Sequence, residues 1–276
     1  MTRPRVRSAR LDDADQIARL MQRGVSELVR RVTIIGSPLL SAYVRGRLAA
    51  ESADHYFVAE RAGDLVGMSA WREIGDLLML NHLYVREGDR GRGVGTQLVR
   101  AGLAQFRARS ATHLGLDVFQ DAPRARSWYR SWGMRVTAHT LWYQVALTQV
   151  PFEPRDGGVL GGLESADAEH ARLGFSSVSL TTPLRQYTVG RLGTAWFRCL
   201  SDEILHDPYA LTALSSLDPA RNLLCLVPSL TGLPVCGAAG QVVAASERMT
   251  IPLVALRQHL NDRRRDRPDV VVNSFA

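Results

Sequence analysis

The sequence contains no lysine, so all 34 of its basic residues are arginine. That absence excludes a P-loop lysine on a nucleotide phosphate, a Schiff base to a carbonyl substrate and the attachment point of pyridoxal phosphate. The three cysteines, Cys199, Cys225 and Cys236, are widely spaced and form no CxxC pair. They therefore argue against a disulfide scaffold or a zinc site, fit small core residues of a reducing, cytoplasmic protein, and leave no metal expected. No run of eighteen or so apolar residues occurs, and charged residues interrupt the first twenty positions. Neither a membrane span nor a secretory signal is expected.

The 276 residues are 46% hydrophobic and 22% charged, enough apolar material for a core and enough length for two domains of ordinary size. A formal net charge of +7 makes the surface attractive to anions, among them nucleotide cofactors, acidic carrier proteins and RNA.

Along the chain, Val6–Ala9 alternates as a strand, and Asp12 or Asp13 can cap a helix whose apolar stripe is Ile17, Leu20, Met21, Val25 and Leu28. A second helix is expected from Pro38 to about Glu51. Three apolar runs, His55–Arg61, Leu65–Ile74 and Leu77–Val85, are separated by Ala62-Gly63-Asp64 and Gly75-Asp76, the pattern of an antiparallel meander. A glycine loop, a helix over about Thr96–Arg109, a strand at Leu114–Val118, a helix over Pro123–Trp132 and one or two strands after Gly133 complete this part. Turn formers from Pro151 to Gly162 mark a linker. The expected division is thus a first domain over 1–150, a linker over 151–162 and a C-terminal α/β region over 163–276. In that region helices are expected at Ala166–Leu173, Tyr187–Leu205, with Trp196 and Phe197 inside it, and Pro252–Asn261. A hairpin-like pair is expected over Asn222–Val243, and a strand at Asp269–Phe275.

The loop Arg90-Gly91-Arg92-Gly93-Val94-Gly95 puts glycines on alternate positions immediately before a helix. Such a loop can aim several N–H groups at one point beside the positive end of a helix, with Arg90, Arg92 and Thr96 adding charge and a hydroxyl, which makes a pyrophosphate site. A Walker A loop is excluded by the missing lysine. A dinucleotide fingerprint is excluded because its third glycine would fall on Thr96 or Leu98.

The same hexapeptide matches the R/Q-x-x-G-x-G/A signature of the GCN5-related N-acetyltransferases (GNAT). The flanking LNHLYVREGDRGRGVGTQLV resembles that family's fourth strand, pyrophosphate loop and third helix, and the order of elements agrees over Val6–Leu147. The resemblance implies an α/β fold with a mixed, mostly antiparallel sheet whose fourth and fifth strands splay apart to admit acetyl-CoA or another acyl-CoA. It implies that backbone groups of Leu83, Tyr84 and Val85 pair with the acyl and pantetheine portion, and that Arg90, Gly91, Arg92, Gly93, Val94, Gly95 and Thr96 hold the pyrophosphate. ARSWYRSWGM resembles the family's fourth helix and places Tyr129 at the position of the general acid, a role that suits a phenol of pKa about 10. Tyr43, Trp71 and Asn81 fall in segments that line the acceptor cleft in the family.

Two positions depart from the pattern. The asparagine that often opens the fourth helix is Ala122 here, after Asp121, and the strand positions that often carry a glutamate base are Met79 and Asn81. His82 is the nearby titratable residue, although strand alternation turns it to the face opposite Asn81 and Leu83. Glu73, Asp76 and Asp117 are the other candidate bases. The expected activity is direct transfer of an acyl group from coenzyme A to a small-molecule amine. The alternatives are an amide-forming transferase using an aminoacyl-tRNA or carrier-protein donor, and a non-catalytic coenzyme A-binding regulator. The C-terminal region carries no second glycine–arginine signature and reads as a degenerate second GNAT half, a lid or a dimerisation piece. A homodimer is compatible with any of these, and no membrane or other nucleic-acid partner is expected.

Overall fold

The computed structural model describes residues 3–50, 54–106, 110–149, 155–231 and 240–265. Its first half runs β1 (Arg5–Ser8), α1 (Ala14–Gly24), α2 (Glu27–Val32), α3 (Leu40–Ala49), β2 (Asp54–Arg61), β3 (Asp64–Ile74), β4 (Leu77–Val85), α4 (Val94–Gln105), β5 (His113–Phe119), α5 (Pro123–Arg130) and β6 (Arg135–Ala146). The second half repeats much of that order as β7 (Val159–Gly161), α6 (Leu163–Leu173), β8 (Phe175–Thr181), β9 (Gln186–Leu192), β10 (Trp196–Cys199), α7 (Pro208–Leu217), β11 (Asn222–Val227) and β12 (Gly240–Pro252), followed by α8 (Leu253–Arg265).

All twelve strands lie in one sheet, in the order β1-β2-β3-β4-β5-β12-β6-β11-β10-β9-β8-β7. Each half has one parallel contact, β4 with β5 and β10 with β11, and the other pairings are antiparallel. The last strands of the two halves are exchanged. β12 lies against β5, where β6 would complete the first half, and β6 lies against β11. A cut near residue 150 therefore divides the chain but not the sheet.

Side chains lock this exchange. Arg126 on α5 makes a paired contact with Glu247 on β12 at 2.9 and 2.8 Å, and Arg248 on β12 does the same with Asp117 on β5 at 2.8 and 2.7 Å. The bidentate fork adds direction to both ion pairs. Between them the Trp142 indole N–H donates to Ser246 Oγ at 3.1 Å, with both residues buried.

Several expectations change. The single helix expected after Asp12 or Asp13, with its stripe from Ile17 to Leu28, breaks after Gly24, whose Cα faces the Tyr84 ring, and Ser26 caps a separate α2 by accepting from the Val29 N–H. The expected helix over 187–205 is two strands, β9 and β10, and a 3-10 turn over Asp202–His206. Two glycines weaken a helix there, with Gly193 in the β9–β10 turn at φ +50°, and burial alternates along the start of β9. Trp196 and Phe197 are thus neighbours on one strand, facing opposite layers. β11 and β12 are not a hairpin, because β6 runs between them. Val159–Gly161, inside the expected linker, pairs with β8. Residues 151–154, Cys236 and the strand expected at 269–275 lie outside the described residues.

Candidate functional site: a cleft between β4 and β5

β4 and β5 are paired only at Leu77–Met79 with His113–Gly115. Beyond those three pairs β4 continues to Val85 against β3, while β5 continues to Phe119 against β12. Each strand thus has a neighbour on its outer side only, and the gap between them opens. The cleft has a volume of about 1340 Å³. In the second half β10 ends at Cys199, after four register pairs with β11, so no comparable opening forms among the described residues.

The glycine loop closes one end. Gly91 and Gly93 sit at φ +74° and +79°, where a side chain would strain the backbone. Gly93 is the N-cap of α4, and no side chain caps that helix. The first N–H groups of α4 are therefore presented to the cleft, with the positive end of the helix dipole behind them. The Arg90 Nε donates to the Val85 carbonyl at 3.1 Å, tying the loop to the end of β4. Below the loop, Asp89 is almost wholly buried and accepts from Arg61 and from Arg86 Nε, the latter at 2.7 Å. Burial alone would raise the Asp89 pKa, but the two guanidiniums overcome it and hold the carboxyl below its ordinary value.

The topologically matching helix of the second half, α7, is closed to a ligand. Asp207, 1% exposed, caps it by accepting from the Tyr209 and Ala210 N–H groups at 3.0 and 3.1 Å. The Thr182 and Tyr187 hydroxyls donate to its other oxygen at 2.7 and 3.1 Å. The anion at that helix end is the protein's own carboxylate.

The wall of the cleft is β4. The register with β3 passes from Ala70–His82 to Trp71–Leu80, leaving Asn81 without a partner, which is a β-bulge. An extra residue breaks strict alternation. Leu80, Asn81, His82, Leu83, Tyr84 and Val85 all border the cleft because the edge of β4 toward β5 is open there. His82 shares the face of Tyr84, opposite Leu83, which packs in the layer of Leu80 and Val85, and the bulge takes only Asn81 out of the alternation. His82 stacks on Tyr84, with ring centroids 6.0 Å apart. Desolvation pushes the imidazole pKa down to about 4, although the Asp54 carboxylate pulls the other way. The ring is neutral at pH 7.

Tyr129 on α5 also lines the cleft, packed edge-on to Trp132 and tilted against Trp128. Burial raises its pKa well above the ordinary phenol value, and burial together with the nearby Tyr129 does the same to Tyr84. Both phenols remain protonated. Across the mouth, Ser26 Oγ donates to the carboxylate of Asp121, joining the start of α2 to the end of β5.

Of the expected acceptor-side residues, Asn81 is exposed in the cleft. Trp71 does not reach it. Its side chain is fully buried beneath Gly102 of α4, where a Cβ would collide with the indole, and its N–H donates to Ser69 Oγ at 2.9 Å. Tyr43 lies outside the cleft lining and packs edge-on to Phe175 of the second half at 6.2 Å. Glu73 accepts from the Ala111 N–H at 3.3 Å and Asp76 meets Thr112, both at the far end of β3 and β4. Asp117 lines the cleft but is paired with Arg248. The Asp89 anchor, the Ser26–Asp121 tie and the Asp207 plug were missed; only the short spacing from Asp89 to Gly91 could have hinted at the first.

A splayed parallel pair, a helix N-terminus left uncapped at its mouth and a protonated tyrosine between the walls together make a cleft suited to an anionic ligand. Residues 27–134, which hold most of the cleft lining, match the family model described as "Acetyltransferase (GNAT) family". Among solved structures the chain resembles a tandem GNAT protein from the clavulanic acid biosynthesis pathway. That match has a TM-score of 0.62 and 16% identity and covers 90% of this chain and 98% of the other. A GCN5-related N-acetyltransferase from Sphaerobacter thermophilus gives a TM-score of 0.62 and 15% identity, with 92% and 96% covered. Likeness over both halves at such low identity establishes a two-part GNAT fold. No curated protein matches the chain significantly.

Proposed function

We propose that the protein transfers an acyl group, in the simplest case acetyl, directly from coenzyme A to the amine of a small molecule in the cytoplasm. The observation that carries this reading is the uncapped α4 N-terminus with Gly91 and Gly93 at positive φ, opening onto the only splayed strand pair among the described residues, with Tyr129 inside. The cleft fits such a donor. Unpaired N–H groups and the arginines of the loop suit a pyrophosphate, and the backbone of β4 from Asn81 onward is not bonded to β5. The donor, when bound, supplies a thioester carbonyl.

The protein's own groups then have distinct tasks. The α4 N–H groups and Arg92 hold the phosphates, and β4 orients the thioester so that the acceptor nitrogen meets its carbonyl carbon. N–H groups at the bulge are suited to the developing oxyanion. As the new C–N bond forms and the C–S bond breaks, the Tyr129 hydroxyl gives its proton to the leaving sulfur. The proton shed by nitrogen returns through water to the phenolate, and neutral His82 stands beside that path. Desolvation that raises the tyrosine pKa raises the thiol pKa as well, so the transfer is less uphill than bulk values suggest.

Tyr129→Phe is the test. Acyl transfer from acetyl-CoA across an amine panel should fall by about 10²- to 10⁴-fold in kcat, with coenzyme A affinity within a few-fold of the parent. An unchanged kcat would remove Tyr129 from the reaction. No turnover in the parent protein would favour the binding-only alternative, and a salt-steep dependence on tRNA would favour the aminoacyl-tRNA donor.

A further inference from the structure

Arg198 is the unexplained charge of the molecule. It lies on β10, its Nε is buried without a hydrogen-bond partner, and part of its surface remains exposed. Two other arginines, Arg30 and Arg191, also have a buried Nε without a hydrogen bond, but they pair with Glu27 and Asp167. Arg198 has no carboxylate partner among the described residues. Its guanidinium carbon lies 5.3 Å from the centre of the Trp142 ring, and its charge reaches the Tyr43 hydroxyl on α3. Desolvation lowers its pKa. A desolvated guanidinium without a counter-ion is destabilising unless something else supplies the anion.

Its place in the fold says where that anion comes from. The Trp142 ring packs against Phe119 with centroids 5.0 Å apart, and Phe119 lines the cleft. A chain of contacts therefore runs from Phe119 at the open end of β5 through Trp142 to Arg198. On the other side, Arg47 and Arg72 are already paired with Asp54, the latter at 2.5 and 2.9 Å. Arg198, which comes from the second half of the chain, is thus the one of these three arginines with no carboxylate among the described residues, and the Trp142 ring stands between it and Phe119 in the cleft wall.

We propose that Arg198 binds a carboxylate carried by the acceptor, so that the substrate is an amino acid or another amine bearing one acid group. A single planar guanidinium matches one carboxylate in charge and in its two-point geometry. The inference rests on the acyl-transfer reading for the role of the amine, but not for the binding of the acid.

The test compares amino acids with their carboxamides. The parent protein should prefer the acid by about 10- to 100-fold in kcat/KM, through KM. Arg198→Met, which keeps an apolar stem over Trp142 but no charge, should erase that preference, and Arg198→Lys should retain part of it. Calorimetric binding of coenzyme A, which needs no acceptor, checks that each variant has folded. If no amine turns over, thermal stabilisation by the same acid and carboxamide pairs reads the site without the reaction. A parent that does not distinguish acid from carboxamide in either measurement, or an Arg198→Met variant that still does, overturns the assignment. Loss of coenzyme A binding in the parent would instead overturn the acyl-transfer reading.

Discussion

Tyr129 and His82 share a cleft and respond to burial in opposite directions, the phenol becoming a weaker acid and the imidazole a weaker base. For His82 this has a measurable consequence. Its folded pKa of about 4 lies below the unfolded 6.5, so between those values the unfolded chain binds more protons. The stability from keeping the ring neutral is complete above about pH 6.5 and is lost as pH falls toward 4. The loss is at most about 3 kcal/mol, less where water reaches the ring. Denaturant unfolding from pH 4 to 8 should show that slope, and His82→Gln should flatten it. By the same reasoning, kcat/KM should show no inflection near pH 6.5 from this residue.

At the scale of the element, the loop and helix α4 depend on what lies under and at the end of them. Asp89→Asn would take from Arg61 and Arg86 the buried carboxylate they share, at a cost of about 3 kcal/mol. A raised KM for acyl-CoA should accompany the lower unfolding free energy. Asp207→Ala should cost about 2 kcal/mol through the lost cap of α7 and leave coenzyme A affinity unchanged, because that helix end faces no cleft. A large change in the affinity of the Asp207 variant would mean that the halves are coupled through α7.

What could be read without coordinates follows from range. The glycine loop, the meander and α5 are local patterns, and their elements are present. The bulge at Asn81 was hidden because one extra residue looks like continued alternation until its partner strand is known. β9 and β10 were misread because a few apolar residues around glycines fit either period. Trp71 was assigned to the cleft by position, but its face is set by packing under α4. Tyr43 meets Phe175 and feels the charge of Arg198 only because the two halves pack together, which no local pattern encodes.

At the scale of the molecule, the exchange of β6 and β12 makes each half incomplete alone. A fragment ending at residue 150 would keep β1–β6 and the whole glycine loop but leave β5 without the neighbour it has here. An exposed edge of that length favours association over folding. Gel filtration of the fragment should show aggregates and calorimetry no coenzyme A binding; a monomeric, binding fragment would show that β6 can return to β5. Within the full chain, Glu247→Gln should weaken the hold on α5 through Arg126 and lower kcat more than it raises KM for the donor.

The traded strands also set an order of events on the ribosome. The loop and Tyr129 are made before residue 135, yet β12, the strand that flanks β5, follows only after β11. Between the synthesis of Tyr129 and that of β12 the nascent chain carries the lining residues of its cleft without the complete sheet around them. If the 1–150 fragment fails to bind, as expected, competence arrives in a late step, when β12 settles between β5 and β6, and a chain cut short before that point contains the site and cannot use it.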